Sequence, residues 1–150
     1  MRLTPYEETY KGLAQIREKM SKYEVSEPDG INMQEAKRII RPHRCFEMAQ
    51  KFVYNSSKEI RDRLTYVYGL WSKGQHEHAW IEIDNNVVYD GVLNRYYEKE
   101  GYYFYNDIAV IRKKDTDTVI KEHFGNYSAS ENDLLALKEY TEAHFKPISD

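Results

Sequence analysis

Cysteine occurs once in this chain of 150 residues, at Cys45, and downstream of it stand His78 and Asp90. A cysteine nucleophile needs a thiolate at neutral pH, a histidine that holds the proton, and a polar group that orients the imidazole. All three residue types are present, in that order. The apolar positions Phe46, Ala49, Phe52 and Val53 recur at helical intervals directly after Cys45, predicting a helix over residues 45–54 with the cysteine in its first turn. Unpaired N–H groups and about half a positive charge gather at a helix start and favour a thiolate there. Arg41, His43 and Arg44, just upstream, act in the same direction.

His78 and Asp90 lie on the two arms of a predicted β-hairpin, and parity decides whether they meet. If the loop is Asp84-Asn85-Asn86, Ile83 pairs with Val87 and the even-numbered residues of both arms share a face. Asp90 is then a diagonal neighbour of His78, roughly 7–8 Å away between backbones, within reach of the two side chains. If the loop is only Asn85-Asn86, a type I′ turn, the register shifts by one residue and the two face opposite sides.

Thr4-Pro5-Tyr6-Glu7 has capping-box spacing with proline at the first helical position, predicting a helix over residues 5–21. Residues 26–30 are turn chemistry. Asn32 then caps a short helix through Met33, Ala36 and Ile40 that must end before Pro42. Strands are predicted over 64–71, 78–83, 87–92, 102–112 and 118–124, rich in β-branched and aromatic residues. Ser130, with Asp133 three residues on, opens a final helix through Leu134, Leu137 and Tyr140. The expected architecture is α+β: N-terminal helices, a central antiparallel sheet and a C-terminal helix, in one domain spanning residues 1–150.

A hydrophobic share of 41% against 31% charged residues is that of a globular chain, and no window approaches the ~20 apolar residues of a membrane span. The opening residues lack the basic-then-apolar pattern of an export signal, so a reducing cytoplasm and a free Cys45 thiol are expected. The net charge of −3 gives no global reason to expect nucleic acid or an anionic membrane as partner.

Cys45 at a helix start, a strand carrying Gly69, then His78-Ala79-Trp80-Ile81-Glu82 and Val87-Val88-Tyr89-Asp90 together resemble the transglutaminase-like branch of the papain-like cysteine proteins, over about residues 43–112. Two narrower likenesses are to the leader peptidases of lasso-peptide biosynthesis and to small uncharacterised bacterial and phage proteins with a cysteine, an HAW strand and an aspartate. The resemblance implies a papain-like, transglutaminase-like fold with Cys45 as nucleophile, His78 as base and Asp90 as orienter. It also implies Trp80 packed on the histidine, Glu82, Gln34 and His43 lining the site, a peptide or protein substrate, and no cofactor or metal. The reaction implied is amide hydrolysis through a thioester. Transglutaminase, acyltransferase or deamidase chemistry would use the same triad. The chain departs from many relatives after the nucleophile, where Phe46 and the acidic Glu47 replace small or amide residues. Gln34 stands eleven residues before Cys45, which leaves the Cys45 N–H and an unidentified second donor for an oxyanion hole.

Blander readings stand beside these. A lone cysteine on an apolar helix is usually a small buried hydrophobe, Trp80 is buried on either account, and His43, His123 and His144 read as structural. His76-x-His78-x-x-x-Glu82 matches half of a cupin metal motif, but the next histidine downstream, His123, lies 45 residues beyond His78. Lys37, Arg38, Arg41, His43 and Arg44 form either a solvated face or an attraction for acidic substrate. Six tyrosines from Tyr89 to Tyr105 either line a groove or fill the sheet. A catalytically silent domain that binds a protein partner is the rival to an enzyme.

Overall fold

The Thr4 hydroxyl accepts from the Glu7 N–H at 3.1 Å while the Glu7 carboxylate accepts from the Thr4 N–H at 3.2 Å, so the first helix, α1 (Pro5–Lys19), starts on the capping box its sequence encodes. The structure is a computed structural model that describes residues 2–33, 40–71 and 76–144. After α1 come a single 3-10 turn (Ser21–Tyr23) and β1 (Glu24–Val25), then α2 (Cys45–Asn55), α3 (Lys58–Arg61), β2 (Leu64–Trp71) and β3 (His76–Ile83). The chain continues through β4 (Val87–Asp90), β5 (Arg95–Glu98), α4 (Lys99–Asn106), β6 (Ala109–Lys114), α5 (Thr116–His123) and α6 (Glu131–His144). The strands form one antiparallel sheet in the order β1-β5-β4-β3-β2-β6. The protein is therefore α+β, with helices around a six-stranded antiparallel sheet. Among the described residues no helix is long and apolar enough to cross a membrane.

Strand alternation divides the core in two. Ala79, Ile81 and Ile83 of β3, with Leu64, Tyr66 and Tyr68 opposite on β2, pack against Ala49, Phe52 and Val53 of α2. The alternate residues Trp80, Val67 and Val88 join Tyr97, Tyr102 and Cys45 in a second cluster. Each of the large apolar side chains buried in these layers contributes roughly 1.5–3 kcal/mol from removal of its surface from water. The β3–β4 loop is the three-residue one, with Ile83 paired to Val87. Asp84 (φ 52°) and Asn85 (φ 61°) adopt the left-handed region that Asp and Asn tolerate best after glycine. Arg63 then clamps the Asp84 carboxylate with two hydrogen bonds, at 2.8 and 2.6 Å.

Several expectations need correction. The strand expected over 102–112 is α4 followed by β6: Gly101, Tyr102 and Asn106 are buried at helical spacing while Phe104 is exposed, and Asp107 ends the helix at φ 47°. Aromatic content points to a strand; burial at helical spacing decides otherwise. The strand expected over 118–124 is α5, whose start is set by Asp115, its side chain accepting from the Thr118 N–H at 2.8 Å. β4 stops at Asp90 rather than at residue 92, and β1 and β5 have no counterpart among the predicted strands. The helix expected between Asn32 and Ile40 has its body outside the described residues.

The far edge is held by charge. Lys114, buried in β6, hydrogen-bonds Asp133 of α6 at 2.9 Å and lies 3.3 Å from Glu122 of α5, while Arg112 reaches Glu122 at 2.7 Å. Asp133 also closes the start of α6, accepting from the Ser130 N–H at 3.0 Å.

Candidate active site

Cys45 is the first residue of α2 and is 9% exposed. Among the described residues no side-chain cap bond closes this helix start: the N-cap residue is Arg44, preceded by His43 in the left-handed region at φ 64°. The N–H groups of the first turn therefore remain directed at whatever lies before the helix. The segment leading into Cys45 is held against the turn that follows β4, since the Arg41 N–H donates to the Val92 carbonyl at 2.8 Å. Gly91, in that turn, lies so close to α2 that a Cβ there would be 2.2 Å from Met48 Cβ. Helix start and β4 end are thereby brought side by side.

His78, on β3, places Nε2 3.0 Å from Asp90 Oδ2. Its ring lies between two indoles: Trp71 at 5.1 Å between centroids and 29° between planes, and Trp80 at 5.7 Å and 30°. Two stacked neighbours leave the imidazole one plane to occupy, and with Nε2 engaged by Asp90 the other ring nitrogen, Nδ1, is left for Cys45. Gly69, directly opposite His78 on β2, makes this stack possible, because a Cβ there would lie 2.6 Å from the Ala109 carbonyl oxygen and 2.7 Å from the Trp80 ring.

Asp90 is fully buried and fully engaged. Oδ1 accepts from the N–H groups of Val92 (2.9 Å) and Leu93 (3.0 Å), and Oδ2 accepts from Tyr102 Oη (2.6 Å) as well as from His78. Burial alone would disfavour the Asp90 charge, but the His78 charge and these hydrogen bonds hold the carboxyl below its usual range. Burial likewise works against the His78 imidazolium. The Asp90 charge and hydrogen bond, followed by the hydrogen bond and charge of Cys45, reverse that and raise the imidazole to about 10. Cys45, His78 and Asp90 thus line one cavity, with His78 hydrogen-bonded to Asp90 and electrostatically coupled to Cys45.

Trp80 is wholly buried behind His78 and donates its Nε1–H to Tyr103 Oη at 3.3 Å. Glu82 does not line the cavity at Cys45. It is buried against Lys113 (2.9 Å), Lys99 (3.4 Å) and the Tyr103 hydroxyl, so its cationic partners come from β6 and α4. His43 does line the cavity, and Gln34 lies outside the described residues. Glu47, the acid two positions past Cys45, is paired with Arg44 (2.7 Å) and Lys51 (2.8 Å), whose hydrogen bonds hold its carboxyl down at about 2. The basic run is thereby dispersed: Arg41 is buried, Arg44 pairs with Glu47, and Lys37 and Arg38 fall outside the described residues. The tyrosines divide between the two faces, Tyr89 and Tyr96 on one and Tyr97 and Tyr102 on the other, and line no common groove. With Nε2 of His78 on Asp90 and Glu82 ion-paired, the half-motif of β3 is not gathered, and among the described residues no group of three His, Cys, Asp or Glu side chains is placed to hold a metal.

Two residues of this site are not legible in the sequence. Tyr102 falls in a segment whose composition predicts a strand, and only its burial within α4 turns its hydroxyl to Asp90. Trp71 closes β2, and its indole lines the cavity with a buried Nε1 that has no hydrogen-bond partner among the described residues. No local signal marks either one. A hydrogen bond to a buried carboxylate is worth about 1.5–3 kcal/mol, so Tyr102→Phe is expected to destabilise the fold by that amount at pH 7. Urea denaturation measures it, and a change under about 0.5 kcal/mol would remove Tyr102 from the network.

The triad opens on a cavity of about 350 Å³ between α1, β3 and the turn after β4. A cysteine at a helix start, an imidazole locked in one plane and a buried carboxylate that orients it are together competent for nucleophilic acyl transfer. Compared with known protein families, curated proteins and solved structures, the chain matches none.

Proposed function

We propose that this protein is a cysteine-dependent enzyme acting on amide bonds of a peptide or protein, with a papain-like, transglutaminase-like fold. The observation that carries this reading is that Cys45 at a helix start, His78 and buried Asp90 line one cavity, with His78 hydrogen-bonded to Asp90 and electrostatically coupled to Cys45. His78, its imidazole raised, holds the proton of the Cys45–His78 pair, the thiolate attacks the carbonyl carbon, and the tetrahedral intermediate collapses to a thioester as His78 gives that proton to the leaving amine. Water, activated by the same imidazole, releases the acid; an amine acceptor gives acyl transfer instead. Asp90 keeps the imidazole in the tautomer that faces the sulfur. A thiol used this way must stay reduced, which suits a cytoplasmic setting.

The oxyanion needs donors already in place. The Cys45 N–H is one, and we assign the other to Trp71 Nε1, a buried donor without a partner among the described residues, on a side chain that stacks on His78 and belongs to the cavity lining. An indole whose N–H is desolvated in the resting protein costs nothing further to desolvate in the transition state.

Incubation with p-nitrophenyl acetate tests both points. A burst of nitrophenolate with an acetyl mass on the Cys45 peptide is expected. Trp71→Phe, which keeps an aromatic ring against His78 but removes the donor, should slow acylation by about 10²-fold. Alkylation of the same variant by iodoacetamide, which builds no oxyanion, should fall far less. Absence of any acyl-Cys45 would favour a silent binding domain, and equal losses in the two reactions would deny Trp71 the donor role.

A further inference from the structure

The wall of the cavity opposite the triad is α1, and one residue there is out of keeping with its position. Gly12 sits in the interior of a fifteen-residue helix, where glycine is a worse choice than almost any residue but proline. Nothing local calls for it: Gly12 is not among the positive-φ glycines, and a Cβ built on it meets no atom within 4 Å. That Cβ would stand at the cavity, which Gly12 lines together with Leu13 and Ile16. Those two side chains are only partly buried, and α1 buries none of its residues completely, so its apolar face is left incompletely covered. The helix is nevertheless fixed in place, because Arg17 donates to the Leu93 carbonyl at 3.3 Å, in the turn that Asp90 organises. Trp71, Val92 and Leu93 complete an apolar enclosure, while the ionisable side chains His43, His76 and Glu77 stand on its exposed side. Its volume of about 350 Å³ lies at the lower end of the ~300–1,000 Å³ found for ligand pockets.

We infer that this enclosure is the specificity pocket for an uncharged, bulky apolar side chain, aromatic by preference, next to the carbonyl that Cys45 attacks, and that Gly12 sets its size. The inference rests on Cys45 being the nucleophile. A charged side chain would give up its hydration among Leu13, Ile16, Val92 and Leu93, while the buried charges of the wall, His78 and Asp90, are already paired with each other. An aromatic ring gains the largest apolar burial for the fewest frozen rotors and can stack on Trp71. Gly12 leaves the ring the space that any β-carbon would begin to fill.

Three haloacetamides that share one electrophile separate the two ideas: iodoacetamide, its N-benzyl derivative and its N-carboxymethyl derivative. Each rate with Cys45 is divided by the rate of the same reagent with glutathione. The N-benzyl reagent is expected to exceed the N-carboxymethyl reagent by at least tenfold, and Gly12→Phe is expected to abolish that ratio. Gly12→Leu, a better helix former, should reduce it in the same direction, with an unchanged or raised melting temperature showing that the fold is intact. Equal normalised rates for the benzyl and carboxymethyl reagents, or a ratio that survives both substitutions in folded protein, would overturn the pocket. If the ratio holds while iodoacetamide reacts no faster with Cys45 than with glutathione, the pocket stands and the nucleophile does not. Fast iodoacetamide labelling without any preference would leave the nucleophile standing and remove the pocket.

Discussion

His78→Ala lowers the rate at which p-nitrophenyl acetate acylates Cys45 by about four orders of magnitude, the loss expected when the base of a triad is removed. In the proposed mechanism the side chain does three things at once: it holds the sulfur proton, carries the resulting positive charge against Asp90, and gives the proton to the leaving group. None of the neighbours can substitute, since Trp71 and Trp80 offer only indole N–H donors and Asp90 is still engaged by Val92, Leu93 and Tyr102. Alkylation by iodoacetamide at pH 6 isolates the first of these roles. An unassisted thiol of ordinary pKa ~8.5 is ionised in only about one molecule in 300 at that pH. The variant should therefore label at least tenfold more slowly than the wild-type protein, a smaller loss than in acylation because a more basic thiolate is also a better nucleophile. Mass spectrometry of the Cys45 peptide reads both rates. Equal labelling of variant and wild type would show that the imidazole does not activate the sulfur.

Asp90→Ala is expected to lower stability by about 3–5 kcal/mol, because it removes one half of a buried ion pair. The alanine would leave the His78 imidazole without its counter-charge, the Tyr102 hydroxyl without its acceptor, and the Val92 and Leu93 N–H groups without theirs. Asp90→Asn separates charge from shape. Its amide oxygen can keep the two backbone bonds, but its NH₂ then confronts donors on His78 and Tyr102. The pH dependence carries its own signature. His78 is raised from 6.5 to about 10 in the folded protein, so the stability it contributes is complete below pH 6.5 and is lost as pH climbs from there through about 10. Asp90 is held below 3.8, so its contribution is present above that value and is lost as pH falls through the lowered folded value. The pair therefore stabilises most between about pH 4 and 6.5, and either Asp90 variant should flatten both flanks. Urea midpoints measured from about pH 3 to pH 10 test this. A variant within about 1 kcal/mol of wild type, or one that keeps the alkaline decline, would mean that the pair is not formed.

The candidate site is legible in part. Cys45 at a helix start follows from the apolar spacing behind it, and the structure agrees to the residue. His78 and Asp90 are legible as residues but not as a pair, since a two-residue loop would have put them on opposite faces. What settles the register is the geometry of Asp84 and Asn85 at positive φ, with Arg63 holding Asp84 from a distant segment. Strands over 102–112 and 118–124 do not form as expected because aromatic and β-branched residues fit a strand or a buried helix face equally well, and local propensity is too weak to choose.

By itself the sequence determined the chemical inventory, the α+β class, the start of α2 and the even-residue face of β3, all consequences of local spacing and side-chain chemistry. Tertiary structure alone decided that Tyr102 reaches Asp90, that Trp71, with an unpartnered buried N–H among the described residues, lines the cavity, and that Gly12 lines the same cavity as Cys45. Those facts depend on contacts between residues far apart in the chain. Their geometry is set by how the sheet and helices pack as a whole, and no stretch of neighbouring residues records it.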